Sequence, residues 1–302
     1  MINRQKKNLI GFVILTLTVS ALLFTLSQPN SQNEYFFEAK KYAYDKENGE
    51  LIFYASGCGS CHEDPDPTSS TKLMTGGLAL ETEFGTFFSP NISPDKDHGI
   101  GSWSLAEFSN ALRNGISPKG THYYPVFPYA SYQGMKDKDV ADLYHFIISL
   151  EPSNKPNKQH QLIFPFSLRR SVGIWKQLYF YNDKSPMIMK SRGQYLVEVL
   201  GHCAECHTPR SYLGGLKKDL HLAGSKTIKN KGKAPNITPD KTGILEWTEE
   251  DIVNYLETGF TPDFDSAGGQ MVSVISNLSK LSRDDLTSIA KYLKSVKQIS
   301  SN

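Results

Sequence analysis

Apolar positions along the chain fall into three patterns. The first is a continuous run from Leu9 to Leu26 with no charged residue, preceded by Arg4, Lys6 and Lys7. Eighteen uncharged, mostly apolar residues are just long enough to cross a bilayer. The basic flank stays on the cytoplasmic side, so the chain beyond Leu26 is expected to be exported. Val19-Ser20-Ala21 offers the rival reading of a cleaved signal peptide. The run continues past it through Leu22, Leu23 and Phe24, which favours a retained anchor.

The second pattern is helical spacing, apolar residues three and four apart. Val140, Leu143, Tyr144 and Ile147 predict a helix from Asp137 to Leu150. Leu286, Ile289, Tyr292, Leu293 and Val296 predict another from Ser282 to Val296. Residues 104–112 and 248–256 open on Ser104 and Thr248, each with an acid three residues on, and run up to Gly115 and Gly259. That combination reads as two helices with capping boxes and glycine C-caps. Residues 49–55 read as a short helix, and no stretch alternates like a strand, so an all-α fold is expected.

The third pattern is interruption. Residues 27–38 are polar and read as a tether. Residues 151–190 are broken by Pro152, Pro156, Pro165 and Pro186 around an apolar turn at Trp175, Leu178, Tyr179 and Phe180. This connector is expected to pack across the units on either side.

Those units repeat. Pro90-Asn91-Ile92-Ser93-Pro94-Asp95 returns as Pro235-Asn236-Ile237-Thr238-Pro239-Asp240, and Trp103 returns as Trp247. The expected division is a membrane anchor or signal segment with tether (1–38), a first repeat domain (39–150), the connector (151–190) and a second repeat domain (191–302). Asn91 and Asn236 begin glycosylation-type triplets, as does Asn277. The repeated frame suggests turn and capping work for the first two.

The expectation of haem rests on the most specific repeat of all. Cys58-Gly59-Ser60-Cys61-His62 recurs as Cys203-Ala204-Glu205-Cys206-His207. Two cysteines one helical turn apart can each form a thioether to a haem edge, and the adjacent histidine then ligates the iron. The two motifs use all four cysteines, leaving none for a disulfide. A zinc site would want four ligands from paired knuckles, and a redox dithiol would not need His62 or His207. The motifs therefore predict two covalently bound haem c groups, with His62 and His207 as proximal ligands. Pro65 and Pro209, just past each site, suggest a nearby carbonyl holding each histidine Nδ1–H.

The opposite axial position is less uniform. Electron carriers of this type usually place a methionine on the loop before the last helix. In the second unit Met271 stands in Gly268-Gly269-Gln270-Met271, a loop able to press against a haem face. The corresponding residue of the first unit is Phe127, which cannot ligate iron. Met135 is the nearest methionine there, although it corresponds to Leu281. His122, Met74, another group or an open iron are the alternatives. Arg113 and Arg210 are weaker candidates for pairing with haem propionates.

Composition narrows the functional classes. The formal net charge of +2 is too small to imply nucleic acid. There is no Gly-rich phosphate loop, nucleophile elbow or carboxylate cluster with metal-ligand spacing.

Several stretches are similar to a known family: residues 90–95 with Gly99-Ile100-Gly101-Ser102-Trp103-Ser104, Tyr124 to Tyr132, Arg192 to Leu196, and above all Gly201 to Arg210. From about residue 45 to its end the chain resembles the membrane-anchored c-type cytochrome subunits of periplasmic alcohol, gluconate and related sugar-acid dehydrogenases. The resemblance implies tandem cytochrome c domains and electron relay from a dehydrogenase subunit towards quinone or a terminal oxidase. It places the haem domains in the periplasm, on the inner membrane of a bacterium. It also implies His/Met ligation at His207 and Met271. Two departures stand out: many members have three haem domains, and members often have Met where this chain has Phe127. The competing expectation is a diheme enzyme whose first iron is open or labile and acts on a small substrate such as thiosulfate or peroxide.

Overall fold

The computed structural model describes residues 4–29, 43–66, 73–181, 189–226 and 233–301. Most of the expected tether and the Pro186 part of the connector lie outside them. Helix α1 (Arg4–Leu26) carries the apolar run, and residues 6–26 are exposed along its whole length.

In the first half, α2 (Lys46–Ala55) starts at Asp45, whose carboxylate accepts the Asn48 N–H. It leads into α3 (Cys58–His62), and then come α4 (Leu105–Asn114), α5 (Tyr129–Tyr132) and α6 (Asp137–Ile148). Helices α2 and α6 cross at Gly49, where a Cβ would lie 2.4 Å from the Asp142 carbonyl oxygen. Only glycine lets the two backbones approach this closely.

The connector forms α7 (Ser171–Tyr179). The second half then runs through α8 (Arg192–Gln194), a wider helical turn over Tyr195–Leu200, α9 (Ala204–His207), α10 (Glu249–Thr258), α11 (Met271–Leu278) and α12 (Arg283–Ser295). Here α8 crosses α12 at Gly193, where a Cβ would meet the Ser288 carbonyl at 1.9 Å. Gly49 and Gly193 are 144 residues apart (193 minus 49), a further repeat between the halves.

The capping boxes form as expected. Ser104 and Glu107 close on α4, Thr248 and Asp251 on α10, and Gly115 (φ 59°) and Gly259 (φ 82°) end those helices in the left-handed region. One hydrophobic core runs through both halves, from Ile52, Leu143 and Ile147 to Leu200, Leu286 and Ile289.

The all-α expectation needs correction. Strands β1 (Ala79–Thr82) and β2 (Gly85–Phe88) form a hairpin, β3 (Gln161–Leu162) adds to its edge, and β4 (Ser225–Lys226) pairs with β5 (Lys233–Ala234). All are four residues or fewer, too short for alternation to show in the sequence. The three-stranded sheet covers a small separate core of Phe87, Tyr124 and Val172.

The connector touches both halves. Lys176 Nζ donates to the carbonyls of Asn114 (2.5 Å) and Gly115 (3.0 Å), at the end of α4. On the other side Trp175 Nε1 donates to the Leu213 carbonyl (3.0 Å), and the Tyr179 and Ser211 hydroxyls lie 3.2 Å apart.

Candidate functional site

Each cysteine motif sits on one short helical turn, α3 or α9, which puts the paired sulfurs on one side and the histidine one step further. The histidines are held alike. His62 Nδ1 lies 2.7 Å from the Pro90 carbonyl, and His207 Nδ1 lies 2.8 Å from that of Pro235. A carbonyl only accepts, so Nδ1 carries the proton and Nε2 keeps its lone pair for a metal.

The carbonyl therefore comes from the Pro-Asn-Ile-Ser/Thr-Pro-Asp repeat, not from the vicinity of Pro65 or Pro209. The signal is present in the sequence, since both prolines lie 28 residues beyond their histidines. Burial holds both imidazoles below the ordinary histidine range, while the carbonyl bond opposes that shift. The neutral ring is the form that binds iron.

The same repeat ties each half shut. Asn91 Oδ1 accepts the Ser93 N–H, and its Nδ2 donates to the Ser153 carbonyl beyond α6. Asn236 Oδ1 accepts the Thr238 N–H, and its Nδ2 donates to the Ile299 carbonyl beyond α12. These are the turn roles expected from the sequence.

The cysteines form no disulfide, and burial pushes the Cys58 and Cys203 thiols up to about 12. Among the described residues no group of three or more His, Cys, Asp and Glu is arranged to hold a metal ion. Cys58 and Cys203 themselves pack on the main apolar core, as do Trp103, Phe127, Trp247 and Met271. Paired thiols, a free imidazole Nε2 and an apolar surround fit covalent haem, which would be held by Cys58, Cys61 and His62 and by Cys203, Cys206 and His207.

The two motifs also meet. Tyr132 and His202 stack edge to face at 5.5 Å, and the Tyr132 hydroxyl donates to the Ser56 carbonyl (2.9 Å), just ahead of Cys58. Burial is the main cause of the raised Cys61 pKa, and the charge of Cys206 adds to it. Each motif's third residue reaches into the other half. Ser60 Oγ accepts from Asn277 Nδ2 (2.9 Å), and Glu205 Oε1 accepts from the Ser131 hydroxyl (3.5 Å). Spacing within each motif carries no trace of this junction.

The distal candidates occupy unlike positions. Met271 opens α11, half-buried against the core, so it starts a helix instead of lying in a glycine loop. Met135 is 3 % exposed, directly before α6. Its N–H bonds to the Tyr132 carbonyl (3.0 Å) as that of Leu281 bonds to Leu278 (2.9 Å), so the two correspond in backbone as well as in sequence. Met74 is also buried in the core. His122 is buried with Nε2 at 3.2 Å from the Ser27 carbonyl, at the end of α1. The arginines are committed to protein acceptors: Arg113 to the Met135 carbonyl and Asp137, Arg210 to Gly214 and Glu205.

Comparison with known proteins agrees with this geometry. A family model described as Cytochrome c matches residues 46–151. A "Diheme cytochrome c-type" protein of Cereibacter sphaeroides is 45% identical over 98% of this chain and 100% of its own length. The fructose dehydrogenase cytochrome subunit of Gluconobacter japonicus is 37% identical over 82% of this chain and 52% of its own. The gluconate 2-dehydrogenase cytochrome c subunit of Pantoea cypripedii is 35% identical over 82% and 58%. The chain thus spans the whole of the first relative and about half of the dehydrogenase subunits. It belongs to the diheme c-type cytochromes and carries two covalently bound haem c groups.

Proposed function

We propose that the chain is a two-haem electron relay, organised as two tandem cytochrome c domains (39–150 and 191–302) joined by the 151–190 connector. The observation that carries this reading is the junction of the two attachment motifs inside one shared core. Bound haem supplies one-electron exchange between ferric and ferrous iron. The protein does the rest. The cysteines fix each ring, Pro90 and Pro235 orient the proximal imidazoles, and the apolar surround excludes water. Tyr132, His202, Ser60 and Asn277 hold the two sites in register.

In the second domain His207 and Met271 would hold the iron, and in the first His62 and Met135 would. By analogy with the dehydrogenase cytochrome subunits, the donor is a dehydrogenase and the acceptor quinone or a terminal oxidase. The relay works in the bacterial periplasm, held by α1 at the inner membrane. The docking of the end of α1 onto the folded body supports a retained anchor.

The match between Met135 and Leu281 favours a second reading. If Met135 is core packing as Leu281 is, the first iron is open and acts on a small substrate such as thiosulfate or peroxide. A redox titration of the purified protein with carbon monoxide present separates the two. The relay requires two one-electron waves, both indifferent to carbon monoxide. One wave shifted by carbon monoxide would overturn the relay with two six-coordinate irons and install the open site.

A further inference from the structure

The end of α1 is not left to solvent. Ser27, immediately after the helix, is buried, and its carbonyl faces His122 Nε2. Arg170 donates through Nε to Ser27 Oγ (3.2 Å) and through a terminal nitrogen to the Phe24 carbonyl (3.3 Å), and its guanidinium lies 4.2 Å from the centre of the Phe24 ring. Gln177 Nε2 donates to the Leu26 carbonyl (3.4 Å). A Cβ on Gly173 would stand 2.4 Å from the Ser27 oxygen, so α7 comes as near as a backbone can. The last carbonyls of a helix have no partner of their own. Here the connector and the first domain supply them, and Arg170 places a cation at the negative end of the helix dipole.

The segment leading into that cap is a fixed knuckle. On its inner side Phe166 packs on Phe84 (4.6 Å) and the Ser167 carbonyl accepts from the Tyr124 hydroxyl (3.4 Å). On its outer side Ile163 (54 %), Phe164 (78 %) and Leu168 (54 %) stand in solvent, with Leu178 of α7 equally bare. Residues 152–181 contain Lys155, Lys158, Arg169, Arg170 and Lys176 and no Asp or Glu at all. Of these Lys176 is buried, and Arg169 and Arg170 stand at the knuckle itself.

We infer that this knuckle is a membrane-interface foot. Ile163, Phe164, Leu168 and Leu178 dip into the leaflet at which α1 ends, while Arg170, exposed beyond its bonds to α1, lies at the level of the phospholipid phosphates and Arg169 braces the knuckle through the His122 carbonyl (2.8 Å). Continuity with the end of α1 identifies the occupant. Apolar side chains within eight residues of Arg170, which grips Phe24 and Ser27, meet the lipid surface as soon as α1 spans. Aromatic and aliphatic side chains beside arginines are the composition that favours that layer, and the absence of acids suits anionic headgroups. The foot fixes the tilt of the first haem domain against the bilayer, which a single helix on a free tether would leave open. This inference rests on α1 being a membrane anchor.

The test uses the full chain with both haems attached, in nanodiscs of phosphatidylethanolamine and phosphatidylglycerol. Because all four native cysteines hold haem, Phe164→Cys, Leu168→Cys, Leu17→Cys and Phe264→Cys each leave one free thiol for a nitroxide label. With the haem contribution subtracted as the relaxation measured under nitrogen, the label's collision rates with oxygen and with a water-soluble nickel chelate are compared. The oxygen-to-nickel ratio should be several-fold higher at positions 164 and 168 than at 264, which is 91 % exposed in the second domain, and highest at 17. Water-like ratios at 164 and 168 beside a lipid-like ratio at 17 would overturn the foot and leave the anchor standing. A water-like ratio at 17 would overturn the anchor and the foot with it. Protection of 164 and 168 from both reagents would also overturn the foot, marking a protein-covered surface instead.

Discussion

The two halves of this cytochrome are built alike around the attachment histidine and differently around the expected second ligand. Both hold the histidine by a proline carbonyl 28 residues on, cross their first and last helices at a glycine, and end the capped helix at a left-handed glycine. On the distal side the second half offers Met271 at the start of an eight-residue helix, where the first has Phe127 beside the four-residue α5. The connector widens the contrast. Lys176 caps α4 and Tyr129 presses on Gly115, where a Cβ would find the ring at 2.4 Å, whereas the nearest atom around a Cβ on Gly259 would be 3.8 Å away. The frame around the attachment motifs is common to the halves, and the surroundings of Met271 and Phe127 are where they diverge.

The strongest way to break the comparison is to remove one attachment site at a time. Cys58→Ala/Cys61→Ala and Cys203→Ala/Cys206→Ala should each halve the covalent haem per chain, read from the pyridine haemochrome spectrum against protein mass. Equal losses mean the halves mature independently. Loss of both haems from either double variant would show that the common core cannot form around one.

Next in size is the distal side. Met271→Ala should abolish the near-infrared sulfur-to-iron band of the second haem and lower its potential, since a thioether ligand raises potential. Met135→Leu imports the second half's own residue and, as a volume-conserving swap, should cost less than about 1.5 kcal/mol of packing. With Met135 on the iron, a second sulfur band disappears in that variant. An unchanged spectrum would make Met135 the counterpart of Leu281 and the halves chemically unequal.

The connector's cap gives a smaller, pH-dependent difference. Burial pulls Lys176 from its ordinary 10.5 down to about 7. The nearest titratable groups reinforce its isolation: His122 is lowered to about 4, chiefly by burial and then by Lys176, and Tyr129 is raised well above its usual range by burial. Below pH 7 folded and unfolded chains both hold the lysine proton, so stability carries no slope from this group. Between about pH 7 and 10 only the unfolded chain holds it, so stability rises with pH, by at most about 1.4 kcal/mol per unit. Denaturant titrations of Lys176→Met across that window should lose this slope. A slope equal to that of the unmodified protein would show the lysine to be solvated.

Much of this architecture is legible in the sequence because it depends on local chemistry. A Ser or Thr with an acid three residues on specifies a capping box whatever surrounds it, and C-x-x-C-H specifies haem attachment within five residues. Whatever depends on distant partners is hidden. Proximity points to Pro65 for the carbonyl that holds His62. It comes from Pro90 because the chain loops back through Met74 and Ile92, which share a backbone bond (3.0 Å). His122 has the chemistry of a spare ligand, and only the end of α1, 95 residues away, reveals its partner. The strands stay invisible because four residues or fewer hold too little pattern, and the junction of the motifs leaves no mark in their spacing.

That junction supplies the subtlest test, because it is the one place where the unequal halves must act together. Tyr132→Phe removes the hydroxyl that donates to the Ser56 carbonyl and keeps the ring against His202. The lost bond should cost about 1 kcal/mol of stability, while both haems and their distal ligands stay in place. His202→Ala removes the other side of the stack. If the stack keeps the two attachment edges in register, both variants retain the parent's midpoint potentials but slow electron exchange between the haems after flash reduction, His202→Ala more than Tyr132→Phe. If exchange is unaffected while stability falls, Tyr132 is a brace for α3 alone, and the coupling between the halves runs through the Ser60–Asn277 and Ser131–Glu205 contacts.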